Sequence, residues 1–375
     1  MTTLSLKDFD FAFPENLVAH EPLEQRDASR LLIWDSNHGC RHSVIRDLAD
    51  ELPEGSLVIL NDSRVFPSRI FAETAHGGRV EIMLLEPKTE QPSDAACDWQ
   101  AIGRPMRKLR AGTQIRLGGE LSCTVIEVTQ STADDLVPFS VRFPLALENL
   151  MLWLETNGYI PLPPYIKRDN PKPASESHDA ARYQTIYSNQ TGSVAAPTAG
   201  LHLTPAIMES FAKKNIDVVP VTLHVGGGTF LPVRASDVGQ HRMHEERFKV
   251  SSESYHKWLR ARREGRKIVA IGTTAFRCFE SLLIAASDKR VDAETLCNQW
   301  HRTSLFIWPK SAEDRYRPQT IDGLVTNFHQ PQSTLFMLIS SLLGIETAKA
   351  IYKEAFEASY RLFSYGDANL YWLGR

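Results

Sequence analysis

Apolar and polar positions follow two different rhythms along the 375-residue chain, and the change of rhythm divides it. Between Ile70 and Phe143, short runs at 79–85, 113–117, 121–128 and 139–143 alternate with period two, and no helical period competes. Gly77-Gly78 and Gly118-Gly119 fall between such runs, where Gly-Gly favours a hairpin turn. The pattern predicts an all-β, barrel-like domain over 70–146. Arg104-Pro-Met-Arg-Lys-Leu-Arg110 is expected in one of its hairpin loops.

On either side, strand-like and helix-like stretches alternate. Strands are expected at 57–60, 217–223, 267–271, 305–308 and 321–326, with Pro220 marking an edge position. Helices are expected at 206–214 (capped by Thr204 with Pro205 first), at 251–264 behind Ser251 and Ser252, through Phe276 to Leu283, and twice before Ser364. Residues 170–179, rich in proline, serine and charge, read as a loop. Alternation of this kind predicts an α/β domain with a mostly parallel, helix-covered sheet, residues 1–69 and 147–375, interrupted by the β domain.

The apolar run 335–344 is about half the ~20 residues of a membrane helix and reads as a buried helix. Neither an export signal nor a membrane segment is read at the N-terminus, so the cytoplasm is the expected location. Five scattered cysteines without a C-x-x-C spacing fit free thiols. With 42 Lys and Arg against 45 Asp and Glu, net −3, bulk charge does not hold this chain on a polyanion. Local patches must. The 104–110 segment carries Arg104, Arg107, Lys108 and Arg110 without an acid, and 257–267 carries six cations against Glu264, a distribution that a solvated helix face also explains.

Candidate chemistry gathers after the predicted strands. Asn61-Asp62-Ser63-Arg64, His224 with Gly226-Gly-Gly-Thr229, Gly272-Thr273-Thr274 with Arg277 and Glu280, and Asn327-Phe328-His329 each follow one. Carboxyl ends of parallel strands share an edge, and open α/β sheets bind ligands there. The small-residue stretch from Gly192 to Thr204, with Thr198 and His202, is a second focus. The triple glycine runs into extended chain rather than opening a helix, so it is not a dinucleotide or methyltransferase glycine loop. His241-x-x-His244, three apart as on one helix face, lacks a third ligand and reads as structure or as an acid/base site, not a metal centre.

These segments, together with Gly158-Tyr-Ile-Pro-Leu-Pro-Pro-Tyr165, Arg182-Tyr-Gln-Thr185 and Ser364-Tyr-Gly-Asp367, resemble the S-adenosylmethionine:tRNA ribosyltransferase-isomerases of queuosine biosynthesis, from Pro14 onwards. The resemblance implies an α/β domain interrupted by a β-barrel. It implies transfer and isomerisation of the ribosyl part of S-adenosylmethionine onto 7-aminomethyl-7-deazaguanine at the tRNA wobble position, by a cytoplasmic monomer without a metal. The product is epoxyqueuosine-tRNA, with adenine and methionine released. Proton-transfer candidates within its motifs are Asp62, His202, His224, His244 and Glu246, with Glu280, His329 and Asp367 behind them. Arg277 or Arg64 is expected on the methionine carboxylate, and Tyr183 or Phe328 against a base. Asn61, Thr198, Gly226, Gly228, Thr229, Thr273, Thr274, Asn327, His329 and Asp367 are expected to bind substrate, and the 104–110 cations to bind tRNA. The competing readings are another adenosyl-dependent RNA-modifying enzyme, such as a methyltransferase, and a non-catalytic RNA-binding protein.

Overall fold

The computed structural model describes residues 4–88, 95–118, 121–128, 137–230 and 237–374. The chain first forms β1 (Arg30–Asp35), β2 (Gly39–Val44), β3 (Leu57–Asn61) and β4 (Ser63–Val65). It then runs through β5 (Arg69–Thr74), β6 (Arg79–Pro87), β7 (Cys97–Arg104), β8 (Gln114–Gly118), β9 (Leu121–Val128) and β10 (Phe139–Phe143). These six close a barrel in the order β10-β7-β6-β5-β8-β9, with every pairing in it antiparallel. Alternation puts Val80, Ile82 and Leu84 inside with Trp99, Ala101, Val125 and Val141. Gly77, at φ +80°, turns β5 into β6 as the sequence predicts, while Gly119 lies outside the described residues. β7 and β8 are not neighbours, so the segment holding Met106–Lys108 crosses between barrel strands instead of closing a hairpin.

After the barrel come β11 (Gln190–Ser193), β12 (Asp217–Leu223), β13 (Glu246–Lys249), β14 (Ile268–Ile271), β15 (His301–Thr303), β16 (Gly323–Asn327) and β17 (Ala368–Trp372). Nine strands make one sheet, ordered β15-β13-β12-β3-β14-β16-β17-β1-β2. Its centre, β12-β3-β14-β16, is parallel; β3, β14 and β16 are buried throughout, and β12 is buried over its last three residues. Antiparallel pairs at β13, β15, β17 and β2 make the complete sheet mixed. Pro220 lies where β12 has β3 on one side only, since β13 joins at Thr222, so its missing N–H costs no ladder bond.

Helices Pro205–Lys213, Ser252–Arg263, Thr273–Lys289, Thr334–Leu343 and Ile345–Glu357 match the expected ones. Thr204 and Ser251 cap the first two through Ile207 N and Ser254 N. Two further local expectations fail. Residues 305–308 form no strand, and the pairing edge falls at β15 just upstream; Ile307 is buried as a loop residue. Residues 170–179 contain a turn at Ala174–Glu176 and begin helix His178–Arg182, held by the Ser177 cap and by Arg168 on Asp179. Among the described residues no single helix is long and apolar enough to cross a membrane. Thr334–Leu343 and Ile345–Glu357 reach that length only together, across a 110° bend, and the first is largely buried.

Candidate active site between barrel and sheet

The end of β12 is fixed by side chains at and just beyond the end of β3 and by Ser193 of β11. Asn61 donates from Nδ2 to Leu223 O (2.9 Å) and accepts from Leu223 N (3.0 Å), so it staples the two strands at the point where β12 leaves the sheet. Thr222 donates to Asp62 Oδ1 (2.7 Å); burial raises the Asp62 carboxyl above its ordinary range while that bond opposes the rise. Val225 N donates to Ser193 Oγ (2.9 Å), whose hydroxyl donates to Ser63 Oγ (2.8 Å). The chain is thereby turned towards the barrel.

A cleft of about 590 Å³ opens there, between Leu85, Gln100 and Ile102 of the barrel and the 224–228 and 244–247 segments. This is the size of a small-molecule pocket, with an apolar wall and a few convergent polar groups. His224 lines it, stacked on Trp300 (centroids 4.8 Å apart, planes at 22°). On another side Gly192 presses against the imidazole: a Cβ there would lie 2.6–2.8 Å from three ring atoms. Burial, then the charges of Arg247 and Lys249, lower the His224 pKa to about 4, so the ring is neutral near pH 7. Its Nδ1 is buried without a hydrogen-bond partner.

Glu246 sits behind the glycines and is 8% exposed. Its Oε1 accepts from Gly226 N (3.1 Å) and its Oε2 from Arg277 Nη1 (2.5 Å), while Arg277 Nε reaches Leu305 O. Both carboxylate oxygens are engaged. Glu246 therefore holds the Gly226 turn more readily than it takes a proton. Of the three glycines only Gly226 leaves room beside the site; at Gly227 a Cβ would meet Leu85 at 2.5 Å, and at Gly228 it would meet the His244 ring at 2.5 Å. His244 is exposed and lines the cleft. The His241–His244 stretch is irregular chain, not a helix face. Among the described residues no three His, Cys, Asp or Glu side chains gather as a metal site would need.

The remaining expected residues lie elsewhere. Thr273 and Thr274 begin the Thr273–Lys289 helix, with Thr274 Oγ1 buried and unpartnered. At the β16 end, Asn327 donates to His202 Nε2 (3.2 Å) and Phe363 O (3.2 Å), and His329 Nε2 meets Thr326 Oγ1 (3.0 Å). Burial lowers the His202 pKa to about 4 and that of His329 to about 3. Asp367 accepts from Arg30 N and Arg361 N, and Glu280 from Tyr316, Gln319 and Thr320. These are hydrogen-bonded interior groups, and none of them lines the cleft. Thr198 is half-buried in that turn, and the side chain of Thr229 lies outside the described residues. Tyr183 and Phe328, each 1% exposed, pack edge-on against Tyr365 and against Tyr352 and Tyr360; neither presents a face to a nucleotide. Arg64 is exposed but outside the cleft, and Arg277 is committed to Glu246. The cations that do line the cleft are Arg247 and Arg302, the latter paired across it with Glu86 (3.0 Å). Neither these nor Trp300 carries a motif that singles it out, whereas Gly192 opens the small-residue stretch that the sequence marks as a second focus.

Comparison with known proteins follows the same outline. The family described as queuosine biosynthesis protein matches residues 6–371. A protein of Pelobacter propionicus named S-adenosylmethionine:tRNA ribosyltransferase-isomerase is 40% identical over 364 residues, 97% of this chain and 98% of its own. One of Aromatoleum aromaticum with the same name is 40% identical over 366 residues, 98% of this chain and 97% of its own. The crystal structure of a Thermotoga maritima S-adenosylmethionine tRNA ribosyltransferase, 28% identical, covers 97% of this chain and 99% of that one with a TM-score of 0.49. A family match from Leu6 to Tyr371, through sheet, barrel and cleft alike, places the chain in the queuosine biosynthesis protein family.

Proposed function

We propose that this enzyme transfers and isomerises the ribosyl moiety of S-adenosylmethionine onto 7-aminomethyl-7-deazaguanine at the wobble position of tRNA. The product is epoxyqueuosine-tRNA, and adenine and methionine are released. The observation that carries the reading is the match to named ribosyltransferase-isomerases over 97–98% of both chains. The reading includes cytoplasmic location, action as a monomer, and residues 70–146 as the inserted barrel domain.

Bound in the cleft, S-adenosylmethionine supplies a sulfonium that acidifies the neighbouring C–H and leaves as a thioether. The chain supplies proton transfer and position. Neutral His224, clamped by Trp300 and Gly192, accepts a proton from the substrate; exposed His244 is placed to return one. Glu246 and Arg277 fix the Gly226 turn, and Asn61 and Asp62 fix the strand end that carries His224. Arg247 and Arg302 are better placed than Arg277 or Arg64 to meet a substrate carboxylate, because they line the cleft. Arg104, Arg107 and Arg110 are exposed, and Lys108 half-buried, on the barrel connection, suited to phosphate contact.

The test is incubation with labelled S-adenosylmethionine and tRNA bearing the aminomethyl-deazapurine. Free adenine is expected, and it should persist in EDTA because the sulfonium already supplies the electrophile. S-adenosylhomocysteine instead would mark a methyltransferase. No turnover would mark a binder, and loss in EDTA restored by one divalent ion would overturn the metal-free part.

A further inference from the structure

The cleft is one end of a longer floor. Along β6 and β7, Val80, Ile82 and Leu84 point into the barrel, so Glu81, Met83 and Leu85 face outwards beside Gln100, Ile102 and Arg104. Leu85, Gln100 and Ile102 line the reaction cleft. Glu81, Met83, Ile102 and Arg104 line a second cavity of about 620 Å³, roofed by the proline-rich segment from Tyr159 to Lys172. Ile102 belongs to both cavities. Beyond Arg104 the second cavity continues into a groove that shares Glu81, Arg104, Tyr159 and Pro171 with it and adds Phe71. From the Glu81–Arg104 pair to the Pro87–Trp99 pair, six residue steps along β6 span ~20 Å at ~3.3 Å each.

We propose that this floor is the track on which a single-stranded segment of the RNA substrate lies, running from an aromatic, cationic entrance to the His224 cleft. The proposal rests on the RNA substrate of the preceding reading. The entrance has the two features such a strand needs. Phe71 is 38% exposed, an uncommon state for a phenylalanine on a strand, and meets Tyr159 edge-on at 4.8 Å with the Arg69 guanidinium 4.7 Å over its ring. Around it, Arg69 and Arg104 share the single carboxylate of Glu81 (2.6 and 2.7 Å) and so retain one net positive charge. Lys167 and Lys172 are exposed and enter no ion pair among the described residues. A base stacked at Phe71 puts its phosphates among these cations, and the following nucleotides cross apolar Met83 and Ile102 to the cleft.

The test measures binding of an anticodon stem–loop RNA across a KCl series, with S-adenosylmethionine binding and adenine release measured in parallel. Phe71→Ala is expected to weaken RNA binding between about 5- and 150-fold, and Phe71→Tyr to restore it. Lys167→Gln with Lys172→Gln should flatten the salt slope by ~1.4, at ~0.7 per phosphate contact with a single strand. A control pair, Lys213→Gln with Lys353→Gln on exposed helix faces, should keep the wild-type slope. All variants should bind S-adenosylmethionine as wild type does, since none of these residues lines the cleft. If Phe71→Ala and the lysine pair bind RNA as the control does while wild type releases adenine, the track is wrong and the activity stands. If wild type binds the RNA at these residues but releases no adenine, the activity is wrong and the track stands.

Discussion

Replacing His224 by alanine is expected to slow adenine release at least ~100-fold, the lower end for a positioned acid/base group, while tRNA affinity and melting temperature stay near native. The ring donates no side-chain hydrogen bond that the fold needs: its Nδ1 is unpartnered, and the strand end is held by Asn61 and by the backbone bond from His224 N to Arg247 O. Gly192→Ala should copy part of the loss while the imidazole itself is kept, because its Cβ would push three ring atoms out of position. The pH dependence distinguishes this assignment from an ordinary histidine. With a folded pKa of about 4 the ring stays neutral down to that pH, so its acid limb lies near pH 4, not near 6.5. Lys249→Met removes one of the charges that depress it and should move the limb upwards. Linkage gives a second sign. The unfolded imidazole binds its proton near pH 6.5 and the folded one near 4, so the stability associated with neutral His224 is complete above 6.5 and is lost as pH falls through that window. His224→Ala should therefore lose less stability than wild type between pH 6.5 and 4. Turnover within a few-fold of wild type would pass the role to His244.

The division into a β-barrel and an α/β sheet was legible because each rhythm recurs: period two in the runs 79–85, 113–117, 121–128 and 139–143, and apolar strands before each polar turn, although β5 and β7 were not marked by it. The centre β12-β3-β14-β16 follows from those turns. The flanks do not. β13 (Glu-Arg-Phe-Lys) and β15 (His-Arg-Thr) carry too few apolar residues to announce themselves, and β17 pairs antiparallel with β16 but parallel with β1, a choice made by packing. Polar residues at four strand ends suggested one crevice; which ends are open depends on what lies over them. The barrel leaves His224, Gly226, His244 and Glu246 around a cleft, whereas Asn327 is closed off by Phe363 and Asp367 of the C-terminal segment and His329 by Tyr352. Residue type alone does not distinguish a histidine facing a cavity from one buried against Asn327. Trp300 and Arg302 reach the site only through tertiary approach, and no local pattern encodes that.

Arg277→Met should have the largest effect on stability. Arg277 and Glu246 are 5% and 8% exposed and meet at 2.5 Å. Removing the guanidinium strands a carboxylate in the interior, which costs ~3–5 kcal/mol, more than the intact pair is worth against an apolar replacement. In a chain of this size that is a fall on the order of 4–6 °C in melting temperature. Glu246→Leu combined with Arg277→Met removes both charges, and the double variant should recover most of the lost stability in a double-mutant cycle. Activity should not return with it. Leucine offers no acceptor for Gly226 N, so the turn between His224 and Gly228 loses its anchor although the core is whole. A stable but slow double variant separates holding the site from holding the fold, and a stable, fully active one would remove Glu246 from the site altogether.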